Sequence, residues 1–124
     1  MSRRAPGPVA PDHVPKPWGH ETIWARTDRY VGKILHVRAG ESLSLQYHER
    51  KEETIRVLSG SVTLEVGAEG AARDTVRLAP GDAWHLPPGT RHRIVALADT
   101  DLLEVSTPEL DDVVRLEDRY GRVR

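Results

Sequence analysis

Four side chains in two short stretches carry the strongest chemical signal. Gln46 and His48 lie two apart in LSLQYH (43–48), a spacing that puts both on one face of a strand and turns Leu43 and Leu45 the other way. Glu53 follows a polar turn, Glu49-Arg50-Lys51-Glu52, and opens the next apolar run. His92 follows the Pro87-Pro88-Gly89 turn and opens a later run. Aimed into one barrel, these residues would offer two imidazoles, a carboxylate and an amide oxygen. Such a nitrogen and oxygen donor set suits a divalent transition metal. Two histidines with one carboxylate also make the facial triad of non-haem iron chemistry, with Gln46 as a further ligand. The remaining histidines, His13, His20, His36 and His85, have no metal-binding partner set by spacing.

Strands must position these groups. HETIWAR (20–26), YVGKILHV (30–37), LSLQYH (43–48), ETIRVL (53–58), SVTLEV (61–66), DTVRLA (74–79), AWHL (83–86), RIVALA (93–98) and LLEVST (102–107) each alternate with period two. Gly40, Ser59-Gly60, Gly67 with Gly70, Pro80-Gly81 and Pro87-Pro88-Gly89 punctuate them. Short strands joined by Gly/Pro turns predict an all-β antiparallel sandwich or barrel. LDDVVRLEDRYGR (110–122) reads either as a short helix or as a last strand. Residues 1–17 hold five of the nine prolines, which predicts an extended arm, disordered or docked along a barrel edge. Residues 18–124 then form a single barrel with a C-terminal tail.

Composition narrows the function. The chain has 124 residues, 18 basic and 19 acidic, a net charge of -1 and no cysteine. The length supports one domain that buries roughly two thirds of its unfolded surface. Without cysteine there is no disulfide, thiolate metal site, Cys nucleophile or redox pair. The near-neutral balance argues against a nucleic-acid partner. No apolar run approaches the ~20 residues of a membrane span, and MSRRAPGPVAPDH lacks the apolar core of a secretory signal. A cytoplasmic protein is the default expectation.

The full spacing is more specific than its parts. Gly40, five residues, Gln46, one residue, His48, four residues, Glu53, six residues, Gly60 resembles the first cupin motif, with Gln46 where that motif carries a histidine. Gly81, five residues, Pro87-x-Gly89, two residues, His92 resembles the second, with Ala96 in place of its terminal Asn. The resemblance implies a cupin-type double-stranded β-helix, a jelly-roll barrel with a central metal held by Gln46, His48, Glu53 and His92. KPWGHE (16–21), YVGKILHVRAGESLSLQYHERKEE (30–53), LSG (58–60) and VVRLEDRYGR (114–123) further resemble the cupin domain of type II mannose-6-phosphate isomerases, here as a stand-alone domain. Gln in the first ligand position is typical of that family. The resemblance implies one divalent ion, zinc by first choice, with manganese, iron, cobalt or nickel also suited to the donors. It also implies a sugar-phosphate substrate.

Aldose–ketose isomerisation moves a proton between C1 and C2 through an enediolate, so it needs a cation beside the sugar oxygens and a base. His85 in AWHLPPG and Lys33 in the apolar strand Val31–Leu35 are the candidate bases; burial among apolar neighbours would lower the Lys33 pKa. Arg122 with Arg119 in the tail could form a phosphate fork, with Arg93 and Lys33 adding to it. Trp18, Trp24 and Trp84 are expected to plug a barrel end. Two other functions use the same site: an iron dioxygenase or lyase, and a non-catalytic sugar-binding cupin. Edge strands need cover, which predicts a homodimer in which the proline-rich arm or HETIWAR crosses to the partner.

Overall fold

The computed structural model describes residues 5–123. In chain order the strands are β1 (Asp12–Lys16), β2 (Gly19–Arg26), β3 (Val31–Val37), β4 (Leu45–Tyr47), β5 (Glu53–Ser59), β6 (Val62–Gly67), β7 (Asp74–Leu78), β8 (Ala83–Leu86), β9 (Arg91–Ala96), β10 (Thr100–Ser106) and β11 (Val114–Glu117). They form two antiparallel sheets, ordered β1-β2-β3-β10-β5-β8 and β11-β4-β9-β6-β7. The fold is an all-β jelly-roll barrel, as the resemblance implied. No helix occurs among the described residues, and the ambiguous tail segment contributes β11.

Period-two alternation decides which side chains enter the barrel. On β5, Glu53, Ile55 and Val57 are buried while Arg56 and Leu58 are exposed. On β9, His92, Ile94 and Ala96 are buried. Leu35, Ile55, Val57, Val62, Leu64, Leu86, Ile94 and Leu102 join Trp18 in one core cluster. Burying each such side chain contributes about 1.5–3 kcal/mol of transfer free energy. Gly60 turns β5 into β6 at φ 88°, and a Cβ there would lie 2.4 Å from the Asp99 carbonyl oxygen. Both conditions demand glycine.

Part of the proline-rich segment docks along a barrel edge, one of the two arrangements expected for it. Residues 12–16 form a strand, and its register runs from Asp12↔Ile23 to Lys16↔Gly19 on β2. The ordered barrel edge therefore starts before Trp18, because Pro15 and its neighbours sit on an edge strand where a missing donor is tolerated. HETIWAR is consequently an inner strand between β1 and β3. Of the three tryptophans, Trp18 is core and Trp84 packs against the core, but Trp24 is exposed. Trp24 lies at a bulge between Ile23 and Ala25, and its ring lies over Gly32 on the outer sheet face.

Candidate metal centre

Gln46 on β4 pairs directly with His92 on β9, and Glu53 opens β5 opposite Leu86. One donor atom each from His48, Glu53 and His92 lies within 4.8 Å of the others, and all three residues are buried. His48 Nδ1 donates to the Asp112 carbonyl at 2.5 Å, and His92 Nδ1 donates to the Thr90 carbonyl at 3.0 Å. A carbonyl only accepts, so both Nδ1 atoms carry the proton. Both Nε2 atoms then present lone pairs toward one carboxylate: His48 Nε2 is 3.4 Å from Glu53 Oε2, and His92 Nε2 is 3.5 Å from Glu53 Oε1.

Lone pairs facing a carboxylate repel unless a cation joins them. His48 Nε2 and Glu53 Oε2 are buried without a hydrogen-bond partner of proper geometry, although Lys51 Nζ lies 3.0 Å from that oxygen. The backbone carbonyls hold each imidazole by its Nδ1 proton and so aim the Nε2 lone pair at the centre, as a metal-ligating histidine requires. The donor set therefore fits a divalent ion. Gln46 is turned the other way: its Oε1 accepts from Ser44 Oγ at 2.8 Å, and its Nε2 lies 3.5 Å from His92 Nε2. A half-turn of the amide brings the oxygen to the centre and lets the NH₂ group donate to Ser44.

The charges around this centre form a buried chain. Lys51 Nζ bridges Glu53 and Glu104, at 3.0 and 3.1 Å. Lys33 Nζ bridges Glu21 and Glu104, at 3.1 and 3.6 Å. Burial opposes the Lys51 charge, but Glu104 and Glu53 outweigh it and raise its pKa. Burial likewise opposes the Glu53 charge, yet the imidazoles of His48 and His92, when protonated, and the Lys51 ammonium hold its carboxyl far below the ordinary range. Burial and the nearby Glu53 push Glu104 up. Burial lowers His92, with Glu53 working against it.

Asp112 locks the loop that presents these groups. Its carboxylate accepts from the backbone N–H groups of Glu49, Arg50 and Lys51 at 3.0, 2.6 and 2.8 Å, and its own carbonyl takes the His48 proton. Its surroundings penalise the charge, but the three backbone donors bring the carboxyl down to about 2. Lys51 and Asp112 escaped the sequence reading. Lys51 had one available signal, its two-residue spacing from Glu53; Asp112 lies 64 residues from His48 and had none.

Several expected site residues lie elsewhere. His85 is exposed on the outer face and bonds Glu52 at 2.5 Å, because its register partner Thr54 faces outward. Arg93 follows inward-facing His92, so it points outward and pairs with Glu65 and Glu117. Arg119 donates to the Gly40 carbonyl at 2.6 Å and forms no fork with Arg122. Arg122 lines the cavity rim, with Nε 2.8 Å from Asp118. Lys33 does line the cavity, but carboxylates surround its ammonium where apolar neighbours were expected.

This β-barrel with a His-Glu-His centre has the architecture of a cupin. The cupin domain family matches residues 33–106, and the chain belongs to it. Among curated proteins, it is 37% identical over 115 residues to a mannose-1-phosphate guanylyltransferase of Escherichia coli strain K12, covering 89% of this chain and 23% of that protein. It is 35% identical over 115 residues to the mannose-1-phosphate guanylyltransferase ManC of Salmonella typhimurium, with the same coverages. The chain thus spans about a quarter of the length of these relatives. Among solved structures, KdgF from Halomonas sp. superposes with a TM-score of 0.71 at 28% identity, covering 81% of this chain and 90% of that one. Oxalate decarboxylase from Bacillus subtilis, at 16% identity and TM-score 0.73 over 86% of this chain and 30% of that one, shares the fold.

Proposed function

We propose that this cupin is a metal-dependent aldose–ketose isomerase acting on a sugar phosphate such as mannose 6-phosphate. The observation that carries the reading is the buried His48–Glu53–His92 centre, adjoined by a cavity that Lys33 and Lys51 also line. The sequence resemblance to type II mannose-6-phosphate isomerases and the mannose 1-phosphate chemistry in the relatives' names supply the substrate class. Gln46, His48, Glu53 and His92 would hold the ion, zinc by first choice. A divalent cation there supplies Lewis-acid stabilisation of negative charge on a sugar oxygen.

The chain's own residues then have to move one proton. Lys33 is an ammonium held by two carboxylates, so the accepting atom of that pair is a carboxylate oxygen. We assign it to Glu21, which lines the same cavity and bonds Lys33 at 3.1 Å. Glu21 takes the proton from C2 and returns it at C1, and Lys33 gives a proton to the sugar oxygen that becomes charged and recovers one from the other. NMR of mannose 6-phosphate incubated with metal-loaded protein in D₂O tests the reading. Deuterium at C1 or C2 supports it. Binding without exchange favours a non-catalytic cupin, and substrate-dependent oxygen uptake by iron-loaded protein favours a dioxygenase.

The assembly proposed is a cytoplasmic homodimer. In place of the crossing arm or HETIWAR strand expected from the sequence, and with β1 seated on its own β2, we propose the outer face of the larger sheet as the contact. There Trp24 and Val105, 44% and 49% exposed, flank Gly32. A sedimenting mass near the 13.9 kDa of one chain at micromolar concentration would contradict it.

A further inference from the structure

We infer that Asp112 is a positioning residue of the metal centre, aiming the His48 imidazole with its backbone and fixing the loop between His48 and Glu53 with its side chain. The inference rests on the metal-binding part of the reading above and holds whichever reaction the centre serves. Asp112 lies in the segment after β10, outside the 33–106 cupin match. It reaches the centre because β11 pairs Val114 with Tyr47 and Arg115 with Gln46, which brings the preceding residues alongside His48.

The two imidazole donors are held in different ways. His92 lies within β9, and its Nδ1 donates to the carbonyl of Thr90, two residues away. Its aim is set locally. His48 lies one residue past β4, a strand of only three residues. The χ2 torsion of a histidine is broad, so a ring without a bond at Nδ1 does not hold its Nε2 lone pair in one direction. For His48 that bond comes from the Asp112 carbonyl, 64 residues away, at 2.5 Å. Nε2 of the same ring is buried without a hydrogen-bond partner among the described residues and faces Glu53.

The Asp112 side chain governs the approach to the carboxylate donor. Residues 49–52 link His48 to Glu53. The backbone N–H groups of Glu49, Arg50 and Lys51 all donate to the Asp112 carboxylate, and that of Glu52 donates to Thr107 Oγ1 at 3.0 Å. Successive amides turned toward one carboxylate form an anion-binding concavity, filled here by a side chain of the same protein. The loop's amide donors are therefore all spent on Thr107 and Asp112, which fix its path from outside. That path sets the separation of His48 from Glu53 and brings Lys51 Nζ to 3.0 Å from Glu53 Oε2. A residue that only capped the loop would add stability. One that also holds a ligand ring sets how tightly the ion is bound.

Cobalt(II) is the probe, titrated into metal-free protein against a chromophoric chelator and followed by its visible absorption. Wild type, Asp112→Ala, Asp112→Asn and Leu102→Ala are compared, with circular dichroism confirming each fold. Long-range proton–nitrogen NMR of the metal-free proteins reads the ring tautomers. Asp112→Ala should bind cobalt about 10–100-fold more weakly, with an altered absorption spectrum. Its His48 ring should lose the single Nδ1–H tautomer while His92 keeps it. Asp112→Asn leaves one acceptor oxygen for the loop and should fall in between; it carries the comparison if the alanine variant does not fold. Leu102→Ala, a destabilising change in the apolar core, should keep wild-type affinity and spectrum. Wild-type affinity and spectrum in the Asp112 variants overturn the inference and leave Asp112 a loop cap. Wild type that takes up no cobalt overturns the metal reading together with it. Cobalt binding that depends on Asp112, without deuterium exchange into mannose 6-phosphate, sinks the isomerase and leaves the role of Asp112 standing.

Discussion

The two halves of the barrel interior differ sharply in chemistry, yet the same strands build both. On β10, Leu102 faces an apolar half and Glu104, one inward position further, faces a charged half. On β3, Leu35 and Lys33 stand in the same relation, and on β5, Ile55 and Glu53. The apolar half is cohesive through burial alone. The charged half must match every charge to a partner, because an unpaired buried ion costs several kcal/mol. A step of two residues, about 7 Å, separates an apolar core from a charged cavity that holds the candidate metal donors.

The largest expected break in that contrast is at the metal donors. Glu53→Ala or His92→Ala should take divalent-metal content from about one ion per chain to near zero by elemental analysis. Full metal retention in the double variant would refute the assignment. Next come truncations in each half. Lys33→Met leaves Glu21 buried without its cation and Glu104 with Lys51 alone, and should cost about 3–5 kcal/mol in urea denaturation. Adding Glu21→Leu, which removes the stranded carboxylate, should restore much of that stability while turnover stays lost. If the double variant is no more stable than the single, the charged half is not held by matched pairing. Leu102→Ala should cost about 2–5 kcal/mol through the cavity it leaves, with metal content unchanged.

A smaller effect is expected in acid. The Asp112 carboxyl is depressed to about 2 from 3.8, so its stabilisation is complete above about pH 4 and lost as pH falls toward 2. The melting-temperature gap between wild type and Asp112→Asn should therefore narrow across that window; a constant gap would show that its loop contacts do not depend on charge. Smallest of all is His85→Ala, outside the barrel. Its exposed pair with Glu52 predicts a change within about 1 kcal/mol and unaltered turnover.

Alternation made much of this molecule legible before folding. The strands from β2 to β10 follow the period-two runs, and the inward positions His48, Glu53 and His92 follow from the same periodicity and the motif spacing. Lys33 and Glu104 occupy the inward register of such runs, so their burial was readable too. Their meeting was not, since Lys33 faces Glu104 only because β3 and β10 are neighbours. The same holds for Asp112 beneath the 49–51 loop. Which face a side chain takes is a local property of the backbone, present in the sequence itself. Which charges neutralise one another depends on sheet order and register between distant segments, and only the folded chain decides that.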